Sequence, residues 1–235
     1  MNIVIGAEQS GWIEPTISVG AVLLGAVLAW GTSYFFESKR LKQEQKGIAY
    51  SLIFKILFFA DEVWKLDREI LAAIARANED GPETPLWTKM QEVIGFEENP
   101  ERITAKELAL VADTQDAELV IKVMEFESGH SILMKSIRKI QQLRNQLTDL
   151  KLAQLVDGRV ISFGGPSADH PNYAHLFIHL NDLSAGLVEQ TSRICEAGRE
   201  IAGKVGPHLK KHYKFKHFVT LAMAPASGLG GDGEA

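Results

Sequence analysis

Residues 17–36 read ISVGAVLLGAVLAWGTSYFF and carry no charged side chain. No other feature restricts the fold as much. A helix of about 20 apolar residues is about 30 Å long, the thickness of a bilayer's hydrocarbon core. In lipid each backbone N–H and C=O must find its partner inside its own segment, so the stretch is expected to be helical throughout. Glu14-Pro15 stands at its start, where a proline forfeits no hydrogen bond. Trp12 precedes the run, and Trp30, Tyr34, Phe35 and Phe36 crowd its far end, the placement amphipathic rings take at headgroup level. The sequence thus predicts a short leading segment over 1–14 and a single transmembrane helix over 15–37.

The flanks give it a direction. Glu8 and Glu14 lie before it, whereas Lys39, Arg40, Lys42 and Lys46 follow it, with Glu37 and Glu44 as the nearby acids. Positive residues stay on the cytoplasmic side, so a protein of the cell membrane (inner or plasma) is expected, N-terminus outside and C-terminal domain cytoplasmic. A cleaved signal peptide is the rival reading, and it lacks the basic leading region such a peptide needs. Ala21, Gly25, Ala29 and Ser33 recur every fourth residue, a flat ridge on which a second spanning helix packs closely. Self-association through this ridge is the expectation, against the simpler fact that small residues are common in spanning helices.

Everything after the anchor reads as one helical domain, 38–222, followed by a flexible tail over 223–235. All 25 Lys and Arg follow the anchor together with 28 of the 30 acids, so the domain is mildly acidic, net −3. Such a balance offers nucleic acid no global attraction. The one cysteine, Cys195, rules out an intrachain disulfide and a Cys-rich zinc site. Its helical, apolar surroundings suit a small half-buried hydrophobe better than a nucleophile.

Leu52, Ile56, Phe59, Val63, Leu66 and Ile70 form one helical stripe. Residues 47–60 are apolar enough to suggest membrane contact, yet the run is too short to span and contains Lys55; a buried core helix is favoured over an interfacial one. No strong breaker separates Pro15 from Asp80, which predicts a nearly continuous rod. Turn-forming residues fill 78–85, and Thr84-Pro85 suits the start of a short helix through Phe96. Thr104 and Glu107 have capping-box spacing, for a helix to about Ala112, with Asp113 or Thr114 capping the next. A long helix is expected from Gln115 to about Val156, on the seam Leu119, Val123, Phe126, His130, Leu133, Ile137 and Ile140. A loop or short hairpin follows, with a β-like run at Arg159–Phe163. The last long helix is expected from Asn172 to Val205, ended or kinked by Gly206-Pro207. The fold class is therefore all-α: an antiparallel helical bundle with long helices.

Three groups of residues carry candidate chemistry. Glu127 and His130 have the Glu-x-x-His spacing of di-iron bundles, without a second copy; Glu62 and Glu69 are carboxylates that nothing in the sequence aligns with them. His175, His179 and Asp182 share a helical face and have metal-ligand side chains, without the Glu of a zinc-peptidase helix. Together these five residues define the alternative reading, a bundle enzyme holding Fe, Mn or Zn. The default for each is bland, a core histidine at 130 and a solvated face at 175–182. The third group is Lys204, Lys210, Lys211, Lys214 and Lys216, interleaved with Tyr213, Phe215 and Phe218, which suits contact with anionic lipid. No nucleophile–base set and no phosphate-binding glycine loop is present, so catalytic residues and cofactors are not expected. The leading expectation is a membrane-anchored interaction, scaffold or sensor module that self-associates, its partners being the bilayer, a second copy and a protein.

Overall fold

The computed structural model describes residues 13–81, 84–91, 102–149, 153–156, 159–163 and 171–218. Side chains are described from Leu24 in the first helix and from Ala174 in the last; in the strands only Val160 is covered. The elements in chain order are α1 (Ile13–Asp80), α2 (Leu86–Lys89), α3 (Ala105–Ala112), α4 (Ala117–Asp149), β1 (Ala153–Val156), β2 (Arg159–Phe163) and α5 (Pro171–Tyr213). The architecture is helical, with one short hairpin. The chain divides into two compact units, Met1–Gly47 and Ile48–Ala235.

Every residue from Leu24 to Glu37 is exposed. Among the described residues no helix is long and apolar enough to cross a membrane. The side chains of 17–23, which open the expected span, lie outside those described.

The second unit is built on α4, α5 and the remainder of α1. The stripe predicted on α1 is its buried face: Leu52, Ile56, Phe59, Val63, Leu66 and Ile70 are all at most 2 % exposed. Residues 47–60 accordingly contribute Ala49, Leu52, Ile53, Ile56, Phe59 and Ala60 to the core, as a core helix should. Helix directions follow from contact points. Phe126 meets Gly198 while Ile194 meets Gly129, so α4 and α5 are antiparallel. Tyr50 stacks on Phe218 while Ala60 lies beside Gly198, so α1 and α5 are antiparallel as well. It follows that α1 and α4 run the same way. The expected antiparallel bundle holds for α5 against both α1 and α4, and is corrected for α1 with α4, which are parallel.

The return of the chain between α1 and α4 is fixed by local chemistry. Gly81 takes a positive φ of 122° just after α1, a conformation that favours glycine. The short helix ends earlier than its sequence suggests. Arg76 donates to the Lys89 carbonyl and Glu69 accepts the Gln91 N–H at 2.8 Å, which holds the chain extended at Met90. Pro85, rather than Thr84, occupies the cap position, and 92–96 lie outside the described residues. The capping box forms as expected: the Thr104 hydroxyl accepts the Glu107 N–H at 3.3 Å and Glu107 accepts the Thr104 N–H at 2.6 Å. The next cap is Asp116, which accepts from Leu119 N–H at 2.9 Å, not Asp113 or Thr114. Gln115 adopts φ 61° to turn the chain into it.

Two long-helix boundaries differ from expectation. Helix α4 stops at Asp149, and Ala153–Val156 instead pairs antiparallel with Arg159–Phe163, with a register shift between Gln154 and Leu155. Helix α5 runs through Pro207 to Tyr213. A proline there removes the N–H that would reach the carbonyl of Gly203, and both residues are exposed, so water can serve that carbonyl. Val205 and Leu209, 1 % and 0 % exposed, anchor the helix on both sides of the proline.

Candidate functional site

The most unusual chemistry of the second unit lies where α1 and α4 face each other. His130 occupies a seam position of α4, and α1 offers Glu62 three residues after the buried Phe59. Glu62 Oε2 and His130 Nε2 are 2.7 Å apart, with side chains 6 % and 2 % exposed. The imidazole also stacks on the Phe59 ring, centroids 4.4 Å apart and planes within 18°. The ring is fixed at one edge by a carboxylate and on one face by an aromatic plane.

A second polar layer lies further along. Burial pushes the Asp67 carboxyl above its ordinary range, against the pull of the Arg199 guanidinium. Burial likewise pushes the Cys195 thiol up, with Arg199 opposing and Asp67 adding to the shift. A thiol so placed is a poor nucleophile, in keeping with the structural role read from the sequence. On the rim, Lys122 bridges Glu118 and Glu200, each at 2.8 Å, and Lys204 also reaches Glu200. Hydrogen bonds from Lys122 and Lys204 hold the Glu200 carboxyl down to about 2.

The five candidate metal ligands are not brought together. Glu127 spends one carboxylate oxygen on the Ile103 N–H at 3.0 Å, steadying the entry to α3, while His130 turns to Glu62. His175 and His179 meet edge to face at 6.0 Å on α5, and His175 and Asp182 are exposed. Ile194 of the same helix is the residue that packs on Gly129, beside His130. His175 lies 19 positions earlier, about 28 Å along the axis at 1.5 Å per residue. Among the described residues no group of three metal-ligating side chains forms. A shared site would need the two long helices to face each other at these positions, and their antiparallel register places the two clusters at different levels.

Glu62 is the residue whose role the sequence hid. A glutamate inside an apolar stripe signals a buried partner, yet nothing in the local pattern says which. Glu69, paired with Glu62 in the sequence reading, accepts from Arg76 at 2.6 Å and from the Gln91 N–H.

At the C-terminal end the basic segment splits by chemistry. Phe215 and Phe218 are 8 % and 3 % exposed, forming a stack with Tyr50 and Tyr213. Tyr213 donates to the Leu110 carbonyl and to Asp113, both at 3.1 Å. The aromatic rings are therefore not available to enter a lipid interface as expected. Lys204, Lys210, Lys211, Lys214 and Lys216 remain exposed. Phe218 stacks on Tyr50, so Lys214 and Lys216, which flank this aromatic turn, lie at the start of α1's buried stripe within the second unit. Of the small-residue ridge read from the sequence, Gly25, Ala29 and Ser33 are exposed, and Ala21 lies outside the described side chains.

Among the described residues no hydrogen bond joins His130 to Ser128 or Ser131. The geometry of the Glu–His link suits a polar tie that selects one register between α1 and α4. Comparison of the chain with family models, curated proteins and solved structures finds no match in any of the three.

Proposed function

We propose that this chain is a membrane-anchored helical module, whose apolar helix crosses the bilayer and whose second unit works on the cytoplasmic side as an interaction or sensor domain. One observation carries the reading. Leu24, Val27, Leu28, Trp30, Tyr34, Phe35 and Phe36 are each at least 62 % exposed. A helix that is apolar on every face needs a covering, and lipid supplies one all round. The Thr32 hydroxyl is satisfied in a lipid-compatible way, donating to the Leu28 carbonyl at 2.9 Å. The small ridge of Gly25, Ala29 and Ser33 is open, with nothing within 4 Å of a methyl added at Gly25, which suits a second copy. The exposed lysines Lys204, Lys210, Lys211, Lys214 and Lys216 suit an anionic leaflet, each gaining about 1 kcal/mol near its surface.

Membrane fractionation of the full chain, with an alkaline carbonate wash, tests the anchor. Retention in the pellet is expected. Release into the supernatant overturns the reading. Blue-native electrophoresis then tests the ridge, where Gly25→Ile is expected to shift the oligomer to monomer. Replacing Lys210, Lys211, Lys214 and Lys216 by Glu is expected to cut crosslinking to anionic lipid at least threefold.

A further inference from the structure

Beside the Glu62–His130 link, between the entry to α3 and the outer side of α4, the surface opens into a cleft of about 480 Å³. Sites for small organic ligands fall in the range of about 300–1,000 Å³. The floor is made by Phe59, Met134 and His130, which are 2 %, 4 % and 1 % exposed. His130 is thus a polar side chain almost wholly buried, yet it forms part of the cleft wall. The rim is cationic, with Arg102, Lys135 and Arg138 against the single acid Glu127 in the lining. Glu127 is partly spent on the Ile103 N–H, and Lys135 is exposed without an ion pair among the described residues. On a chain whose formal net charge is −5, three cations thus meet at one cavity of mixed apolar and polar lining.

We propose that the cleft binds a small amphipathic anion, a carboxylate or phosphate carried on a medium-length alkyl or aryl body. The head lies at Lys135 and Arg102, and the body lies against Phe59 and Met134. Low-dielectric walls strengthen the attraction between the rim cations and the head. Met124, 51 % exposed at the mouth, is an adaptable surface for an alkyl chain. Neither half suffices alone. A bare anion leaves the floor wet, and a cationic amphiphile meets like charge at the rim.

The test uses the full-length chain in phosphatidylcholine nanodiscs, with 13C-labelled methionine methyls. Octyl phosphate is expected to shift Met124 and Met134 saturably while leaving Met90, a core residue outside the cleft, in place. Lys135→Glu is expected to weaken the apparent Kd at least tenfold. Met124→Trp fills the mouth and gives an independent loss should the charge reversal misfold. Nanodiscs doped with lysophosphatidic acid separate the sources: a response there supports delivery from the bilayer, whereas a response only to octyl phosphate supports a soluble ligand. The proposal is overturned by unmoved Met124 and Met134 signals, by an equal response to octyltrimethylammonium, or by an equal response to inorganic phosphate alone. An unchanged Kd in Lys135→Glu overturns it as well.

Discussion

Removing one half of the Glu62–His130 link should cost far more than removing both. His130→Leu leaves the Glu62 carboxylate 6 % exposed and without its donor. Breaking a buried pair in this way costs about 3–5 kcal/mol, because the remaining group keeps its desolvation penalty. Glu62→Leu strands one imidazole nitrogen but leaves the ring stacked on Phe59 at 4.4 Å, a loss of about 1–3 kcal/mol. In Glu62→Leu/His130→Leu neither orphan exists and two leucines fill the gap, so stability should return to within about 1 kcal/mol of the parent. The coupling energy of the cycle is then about 3 kcal/mol or more. For a domain of this size, His130→Leu should lower Tm by about 6–20 °C. Urea unfolding of the full chain in mild detergent, followed by far-UV circular dichroism, supplies all four stabilities. A double variant destabilised by the sum of the singles would refute the reasoning, since the two groups would then be acting independently.

Three further outcomes are expected. A methyl at Gly198 would come within 2.7 Å of the Phe126 ring, with Ala60 at 3.4 Å behind it; Gly198→Ala should therefore lose about 1–2 kcal/mol despite its better helix propensity. Gly203→Ala, where nothing lies within 4 Å, should gain up to about 1 kcal/mol, and thermal melts that rank the two the other way would remove the packing argument. Burial pushes the Glu107 carboxyl up, but hydrogen bonds from Ser51, Thr104 and Lys55 outweigh it and hold the group below 4.5. A lowered carboxylate contributes stability that is full above 4.5 and lost as pH falls through the lowered value. Glu107→Gln should thus flatten the acid limb of the stability–pH curve, while Asp67, raised by burial, acts with the opposite sign in both proteins. Finally, Trp87 is fully buried and donates to Asn181 at 2.9 Å, so Trp87→Phe should cost about 1–2 kcal/mol and Trp87→Ala about 3–5 kcal/mol, read by urea midpoints.

The sequence by itself determined whatever depends on neighbours a few residues away. The buried stripe of α1, its continuity from Ile13 to Asp80, the capping box at Thr104 and the strand at Arg159–Phe163 all follow from periodicity, caps and breakers. So does the seam of α4, including His130 inside it. Tertiary structure decided the rest. Pro207 reads locally as a stop, yet burial of Val205 and Leu209 carries α5 past it. Residues 153–156 read as the end of a long helix, but a partner strand claims them. Glu62 and His130 are 68 positions apart, and only the parallel alignment of α1 with α4 makes them neighbours. That alignment rests on two glycine crossings with α5, where Phe126 and Ile194 fit against Gly198 and Gly129. Local hydrogen bonds and helical period act within about four residues and so can be read from one chain. Which faces meet is a matter of shape and charge between distant segments, and that is fixed only once the helices are packed.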